Sequence, residues 1–160
     1  MKISVIISTY NSEEWLRKVL LGYTMQTEMD FEIIIADDGS TNKTKELIDS
    51  FRNQFVNKIK HIWHEDSGFR KCKILNEAIV NSASEYLIFT DGDCIPRKDF
   101  VSQHNQHKQK GYFLSGGYFK LPMLTSKSIN DEDIINGNCF SVLWLLKNGL
   151  KFNFKISKLQ

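Results

Sequence analysis

The sequence predicts an α/β protein with a mainly parallel sheet flanked by helices. Three apolar runs rich in β-branched residues, Ile3–Ser8, Phe31–Ala36 and Tyr86–Thr90, are typical of buried strands because they do not alternate with polar residues. Segments with apolar residues at helical spacing lie between these runs. Strands that alternate with helices along a chain indicate a parallel sheet covered by helices.

Each of the first two predicted helices is preceded by a polar residue that can cap it. Asn11 or Ser12 precedes the first helix, and Thr41 or Asn42 precedes the second. A third strand at Lys58–Trp63 is shorter and is expected nearer an edge of the sheet. The inward-facing residues of the three helices are Trp15, Val19, Leu20 and Tyr23 in the first, Leu47, Ile48 and Phe51 in the second, and Ile74, Leu75, Ala78 and Ile79 in the third.

The part of the chain after the fourth strand has less regular patterns. Pro96 stands where the first turn of a helix can begin. The elements expected from there are a helix continuing through Phe100–Lys110, a fifth strand at Tyr112–Tyr118, a surface loop at 120–133, a helix at Ile134–Leu146, and a strand or extended arm at Lys151–Gln160. We therefore divide the chain into a core at 1–120 and a loop, helix and tail at 121–160 that do not close the fold.

Composition is that of an ordinary globular chain. The 160 residues are 41% hydrophobic and 25% charged, and the net charge of +2 does not indicate a nucleic-acid partner. Cys72, Cys94 and Cys139 are odd in number and form no Cys-x-x-Cys pair, which favours reduced thiols and a cytoplasmic protein.

No apolar run reaches the roughly 20 residues that a membrane-spanning helix needs. Four lysines near the C-terminus leave two alternatives open, a solvated tail or a weak peripheral contact with the inner face of a membrane. They are Lys147, Lys151, Lys155 and Lys158.

Two acidic motifs follow predicted strands. Asp91-Gly92-Asp93 comes directly after the fourth strand, and Asp37-Asp38 follows the second. The carboxyl ends of parallel strands meet at one edge of a sheet, so these acids predict a single ligand crevice. Paired carboxylates can hold a hard divalent cation, and such a cation can hold a diphosphate. The alternative is that the acids cap turns and helices.

In the order and type of its motifs, the chain resembles the N-terminal, nucleotide-sugar-binding part of the family 2 glycosyltransferases, which have the Rossmann-like GT-A fold. The resemblance covers roughly residues 3–118. The residues that carry it are Val5–Asn11, Gln26-Thr27, Phe31–Thr41, Gly68, Asn76, Ala78 and Asp91-Gly92-Asp93. The resemblance implies transfer of a sugar from a nucleotide-diphosphate donor, with a UDP-sugar expected, to a saccharide or glycolipid acceptor. It further implies inversion at the sugar, Mn²⁺ or Mg²⁺ as cofactor, and a place in cell-surface polysaccharide or lipopolysaccharide synthesis.

The resemblance also implies roles for the acidic residues. Asp93 is expected to bind the metal, and Asp91 to contact the metal and the ribose or sugar of the donor. Asp38 is expected to recognise the nucleotide base, with Ser8 and Asp37 nearby, while its alternative role is to cap the helix that follows.

Donor contacts outside the acidic motifs are implied as well. Tyr10 and Asn11 lie on the loop after the first strand, which the resemblance places against the nucleotide. Many family members carry an arginine immediately before the residue that corresponds to Asn76, whereas this chain has Leu75. Arg70 or Lys73 can replace that arginine at the diphosphate, the alternative being a solvated helix face.

The sequence does not show a convincing catalytic base. An inverting transferase needs one to take the proton of the acceptor hydroxyl. Glu132 and Asp133 are the candidates, although Asp131–Asp133 falls where we expect a surface loop. The alternative function is therefore a truncated, non-catalytic nucleotide-sugar-binding module that lacks its C-terminal half or works with a partner chain. A nucleotidyltransferase is disfavoured, because the loop Thr9–Ser12 is not glycine-rich.

Overall fold

A computed structural model describes residues 3–55 and 58–150. The chain forms two compact units, with the boundary between Leu114 and Ser115. The strand or arm expected at Lys151–Gln160 lies outside the described residues, as do Lys151, Lys155 and Lys158 of the C-terminal lysine cluster.

The first unit is built on a four-stranded sheet in which every pair of neighbouring strands is parallel. Its strands are β1 (Ile3–Thr9), β2 (Phe31–Asp37), β3 (Ile59–Trp63) and β4 (Tyr86–Asp91), in the order β3-β2-β1-β4. The predicted α/β class and parallel sheet are thus confirmed, and so is the position of the third strand at an edge.

Helices cover both faces of this sheet. They are α1 (Glu13–Thr24), α2 (Asn42–Phe51), α3 (Lys71–Val80) and α4 (Phe100–His107). Every residue of β1 and β2 is buried, and successive side chains of a strand point to opposite faces, so both faces of these strands are covered. One face packs against residues of α1, α2 and α4, and the other face packs against Ile74 and Ala78 of α3. Among the described residues, no helix is both long enough and apolar enough to cross a bilayer.

The predicted helix caps have the right positions but not the predicted bonds. Ser12 and Thr41 occupy the cap positions of α1 and α2, yet neither side chain makes a capping hydrogen bond. Asn11 instead joins the two helix starts. Its backbone N–H donates to Ser40 Oγ, and its Oδ1 accepts from the Thr41 N–H. Asn11 has a positive φ of 44°, a conformation that asparagine tolerates better than most residues.

The helix expected to begin at Pro96 begins instead at Phe100 and ends at His107. Pro96 packs against α1, and a Cβ on Gly22 would lie 2.8 Å from the proline ring. The segment between Asp93 and Asp99 therefore runs along α1 as a loop, and Asp99 takes the cap position of α4.

The fifth strand expected at Tyr112–Tyr118 is wrong, since residues 113–118 have no regular secondary structure. Phe113 and Tyr118 are 88% and 82% exposed, so the apolar residues of this run have no buried face to pack on. Gly116 and Gly117 contribute no side chain, and a strand preference has little effect without packed neighbours.

The second unit is helical within its described residues. Its elements are α5 (Met123–Ser128), α6 (Asp131–Ile135), a 3₁₀ turn (Asn138–Phe140) and α7 (Val142–Lys147). The surface loop expected at 120–133 is wrong, because α5 lies there and α6 begins there. The single helix expected at Ile134–Leu146 is also wrong. Gly137, at a φ of 73°, follows α6, and Ser141 caps a new helix through the Trp144 N–H.

Candidate functional site

A cavity of about 500 Å³ opens at the carboxyl ends of β1, β2 and β4 in the first unit. Five of the predicted site residues line it: Ser8, Tyr10, Asp38, Asp91 and Asp93. The strand register explains this meeting, since Ser8 lies opposite Asp91 on one side and Thr9 lies opposite Asp37 on the other. The two acidic motifs therefore lie at one crevice, as the sequence predicts.

The Asp91-Gly92-Asp93 motif is held tightly against the end of β1. The Gly92 N–H donates to the Ser8 carbonyl at 2.8 Å, and a Cβ on Gly92 would lie only 2.9 Å from that oxygen. A larger residue would push the motif away from β1. Glycine is thus required between the two acids by close packing.

Asp91 is bound on one of its two carboxylate oxygens. Asp91 Oδ1 accepts from Lys71 Nζ at 2.6 Å and from Ser8 Oγ at 2.7 Å. The Lys71 ammonium and the Ser8 hydroxyl hold the pKa of the Asp91 carboxyl below its ordinary value. Asp91 is therefore ionised at neutral pH. No donor to Asp91 Oδ2 is found in the described part of the chain.

Asp93 is exposed at the rim of the cavity. Its one contact within residues 3–55 and 58–150 is with the thiol of Cys94, whose Sγ lies 3.6 Å from Asp93 Oδ1. Burial and the neighbouring Asp93 carboxylate raise the pKa of Cys94 to about 11. The thiol is therefore protonated at neutral pH, and the Asp93 carboxylate remains accessible from the cavity.

The carboxylates of the Asp37-Asp38 motif are buried in the protein. Asp37 is fully buried, with Oδ1 accepting from the Ser40 N–H and Oδ2 lying 2.8 Å from His61 Nε2. Asp38 is 6% exposed. Its Oδ1 lies 2.7 Å from His64 Nε2, and its Oδ2 accepts from the Arg70 N–H at 2.9 Å. Asp37 itself does not line the cavity, and its carboxylate supports the loop that carries Asp38.

No role for His61 and His64 is predicted from the sequence, but in the structure each lies against an acidic side chain. β3 lies beside β2 with Asp37 opposite Trp63, so two histidines flanking Trp63 come close to the two acids. The sequence signal for these contacts is a pair of acids at the end of one strand and a pair of histidines at the end of another. It predicts a contact only when the two strands are known to be neighbours in the sheet.

Tyr10 connects two loops at the rim of the cavity. Its hydroxyl donates to Asp66 Oδ2 at 2.9 Å, and Asp66 Oδ1 accepts from the Gly68 N–H. The hydrogen bond to Asp66 raises the pKa of Tyr10, while the Gly68 amide and the Tyr10 hydroxyl lower the pKa of Asp66. Asp66, which the sequence analysis did not single out, also lines the cavity, whereas Asn11 does not.

The basic residues at the start of α3 are arranged differently from the prediction. Lys71 lines the cavity, but Arg70 and Lys73 do not. The Arg70 guanidinium donates to the Glu65 carbonyl, and Lys73 Nζ lies 4.0 Å from Glu77 Oε1. Lys73 lies two residues after Lys71, which corresponds to roughly 200° of rotation about the helix axis. Lys73 is therefore directed away from the side of α3 that carries Lys71.

Comparison with known proteins identifies the family. Residues 4–130 match the family model "Glycosyl transferase family 2". The chain belongs to glycosyl transferase family 2. One relative is the uncharacterized glycosyltransferase YfnE of Bacillus subtilis (strain 168), 38% identical over 105 residues that make up 65% of this chain and 26% of that protein. Another is TarS of Staphylococcus aureus, a poly(ribitol-phosphate) beta-N-acetylglucosaminyltransferase, 26% identical over 136 residues, or 84% of this chain and 22% of TarS.

Solved structures of S. aureus TarS share the GT-A fold of this family 2 glycosyltransferase. A crystal structure of TarS 1–349 superimposes with a TM-score of 0.59 and 30% identity over 66% of this chain and 32% of that one. The complex of TarS 1–349 with UDP-GlcNAc gives a TM-score of 0.57 and 26% identity over 72% and 37%. The chain spans between 22% and 37% of the length of these relatives.

A buried glutamine fixes the loop that follows the Asp91-Gly92-Asp93 motif in this family 2 chain. Gln26 is 5% exposed, and its Nε2 donates to the carbonyls of Gly22 and Arg97. Its Oε1 accepts from the Val101 N–H at 3.0 Å. The bonds to Arg97 and Val101 hold the far end of the loop that starts at Asp93, so Gln26 acts as a clamp between α1 and the start of α4.

The carboxylate oxygens of Asp91 and Asp93 suit a hard cation whose other ligands are water molecules and substrate phosphates. No group of three or more histidine, cysteine, aspartate or glutamate residues that could hold a metal occurs in the described residues. Mg²⁺ and cations like it are commonly held by one or two carboxylates, several waters and the phosphates of a substrate. The accessible Asp93 carboxylate and the free Asp91 Oδ2 match that arrangement.

The candidate bases Glu132 and Asp133 lie on α6 of the second unit. Asp133 is buried and forms a capping box with Asn130: its Oδ2 accepts from the Asn130 N–H, and its own N–H donates to Asn130 Oδ1. Asp133 Oδ1 also accepts from Asn138. Glu132 is exposed. Asp133 thus has a clear structural role, and the catalytic role of either residue stays a prediction.

Proposed function

We propose that the chain is the donor-binding part of a glycosyltransferase that transfers a sugar from a nucleotide-diphosphate sugar, specifically a UDP-sugar, to a saccharide or glycolipid acceptor. The observation that carries this proposal is the presence of Asp38, Asp91 and Asp93 around one cavity at the carboxyl ends of parallel strands. Open α/β sheets bind their ligands at this edge. The similarity to TarS, which has been crystallised with UDP-GlcNAc, supports a UDP-sugar.

In this proposal the two ends of the cavity have different tasks. Asp93 and Asp91 would hold Mn²⁺ or Mg²⁺, and the cation would supply positive charge against the departing diphosphate. Asp38 and Tyr10 lie on the loops after β2 and β1 and contact the nucleoside, with Asp37 and Asn11 bracing those loops. Ser8 keeps Asp91 in place through its hydroxyl.

The acceptor side is the open part of the proposal. Transfer with inversion requires a base, and Glu132 is the better candidate because both oxygens of Asp133 accept hydrogen bonds within the second unit. That occupation of Asp133 also favours the second candidate function, a nucleotide-sugar-binding module without a base that acts with a partner chain or a C-terminal half. We further propose a cytoplasmic protein, with a peripheral contact at the inner face of the membrane as an alternative to a fully solvated one, that acts in cell-surface polysaccharide or lipopolysaccharide synthesis. The similarity to TarS, a poly(ribitol-phosphate) beta-N-acetylglucosaminyltransferase, supports a role in making a surface polymer.

The test is a calorimetric titration of the 160-residue chain with UDP and UDP-GlcNAc, with and without Mn²⁺. We expect binding that weakens at least about tenfold when Mn²⁺ is removed or when Asp93 is replaced in Asp93→Ala, because the cation then loses a carboxylate ligand. The control is Asp49→Asn, which removes an exposed carboxylate on α2 that pairs with Lys45 and Arg52 outside the cavity.

Equal affinity of the wild type and Asp93→Ala, independent of Mn²⁺, would overturn the metal assignment. A donor-hydrolysis assay on the same sample separates the two candidate functions. Slow release of the sugar from UDP-GlcNAc would support the transferase, whereas binding without any release would support the non-catalytic module.

A further inference from the structure

Lys71 carries the ammonium group that reaches the acidic end of the cavity. It is the first residue of α3, and its Nζ lies 2.6 Å from Asp91 Oδ1. It also lines a smaller adjoining pocket together with Ser8, Leu75 and Asp91. Lys71 and Leu75 are four residues apart and therefore share one side of the helix.

The charge balance of the cavity makes this ammonium important. Four carboxylates line the cavity, those of Asp38, Asp66, Asp91 and Asp93, and Lys71 is the one basic side chain among the described residues that line it. The Arg70 guanidinium donates to the backbone carbonyl of Glu65, and Lys73 Nζ lies 4.0 Å from Glu77 Oε1. A diphosphate carries negative charge of its own, so it needs cations between itself and these acids.

The ion pair between Lys71 and Asp91 can be broken at little cost to the stability of the fold. The two side chains are 37% and 57% exposed. Ion pairs with this degree of exposure contribute little to folding, because water screens them and two flexible side chains must be ordered. The lysine stem is flexible and its ammonium can turn to another anion nearby without a change in the helix.

We propose that Lys71 and a divalent cation compete for Asp91, and that Lys71 binds a phosphate oxygen of the diphosphate once the cation has replaced it at Asp91. This inference rests on the proposed function and names the residue that receives the diphosphate. The cation approaches through Asp91 Oδ2, and its positive charge repels the Lys71 ammonium from the same carboxylate. Asp91 Oδ1 keeps its hydrogen bond from Ser8 throughout, so the carboxylate does not need to move.

The proposal predicts two effects of opposite sign in Lys71→Met. Mn²⁺ alone should bind about threefold more tightly, because Asp91 loses a competing cation whose exposed pairing was weak. UDP, measured at a Mn²⁺ concentration that saturates both proteins, should bind about tenfold more weakly, because a charge-assisted hydrogen bond to phosphate is lost. Mn²⁺ binding is followed by its electron paramagnetic resonance signal and UDP binding by calorimetry.

Two further variants control for fold and charge. Lys45→Met removes an exposed lysine on α2, which pairs with Asp49 outside the cavity, and should change neither affinity. Lys71→Arg keeps the positive charge and should restore most of the UDP affinity.

The combination of results decides the proposal. Weaker binding of both Mn²⁺ and UDP in Lys71→Met, together with a lower unfolding temperature, would show a structural role and overturn it. Unchanged affinities would also overturn it. If the wild-type chain binds no UDP at all, the proposed function fails separately. The Mn²⁺ comparison between wild type and Lys71→Met then still tests the competition at Asp91.

Discussion

The acidic motifs after β2 and β4 contain the same side chains in very different surroundings. Asp37 and Asp38, which we call the closed pair, are 0% and 6% exposed, and all four of their carboxylate oxygens have a protein partner. Asp91 and Asp93, the open pair, are exposed and keep oxygens without a donor in the described residues. The closed pair therefore shapes the cavity, and the open pair is free to bind a cation.

The position of each strand in the sheet explains this difference. β2 lies between β1 and β3, so the acids at its end have neighbours on both sides, including His61 and His64 from the β3 side. In the described sheet, β4 is an edge strand with β1 as its one neighbour. Asp91 therefore receives only Ser8 from the sheet and Lys71 from α3.

Replacement of a closed acid should have the largest effect on stability. Asp37→Ala leaves the buried Ser40 N–H and His61 without their acceptor, and we expect the free energy of unfolding to fall by about 3 kcal/mol. Urea denaturation followed by circular dichroism measures this change. A loss no greater than that of the exposed control Asp49→Asn would contradict the closed role of Asp37.

The clamp on the loop of the open pair should have the next largest effect. Gln26→Ala leaves the Val101 N–H and the Arg97 carbonyl unpaired, which should lower the free energy of unfolding by about 2 kcal/mol. Because the loop that starts at Asp93 is then held less firmly, Mn²⁺ binding should also weaken. The matched control is Gln54→Ala, which removes an exposed side chain whose one bond is a long contact to the Ser50 carbonyl. Equal losses in the free energy of unfolding for the two variants would show that Gln26 does not act as a clamp on this loop.

A smaller effect is expected from pH through another closed acid, Glu32 on β2. Burial raises the pKa of Glu32, but hydrogen bonds from the Ser4 hydroxyl and the Ala83 amide, with Lys60 beside it, outweigh burial and hold the pKa below its ordinary value. The stabilisation is therefore complete above the ordinary pKa and is lost as the pH falls through the lowered folded-state pKa. Unfolding curves across the acid range should be flatter for Glu32→Gln than for the wild type. Identical pH profiles would contradict this assignment.

The core of the fold and the meeting of the two acidic motifs at one edge of the sheet were predictable, because both follow from local signals. Continuous apolar runs such as Ile3–Ser8 need burial on both faces, and parallel strands bring their final acids to one edge. Even the place of β3 at an edge follows from its short, mixed pattern.

The errors concern contacts that depend on neighbours not written in the local sequence. The partners of His61 and His64 follow from the adjacency of β2 and β3. The choice of Lys71 over Arg70 and Lys73 depends on where α3 begins, which a basic run of this kind does not define. Tyr112–Tyr118 has the residue types of a strand but no packed face, so its apparent preference did not decide its structure.

We propose that the open pair binds a cation and contributes little to the stability of the fold. The most direct test of this proposal is a Mn²⁺ titration in the presence of UDP, followed by electron paramagnetic resonance, on the wild type and Asp93→Asn. We expect Asp93→Asn to lose Mn²⁺ binding while its unfolding temperature stays that of the wild type. Undiminished Mn²⁺ binding in Asp93→Asn would show that the open pair is not the cation site.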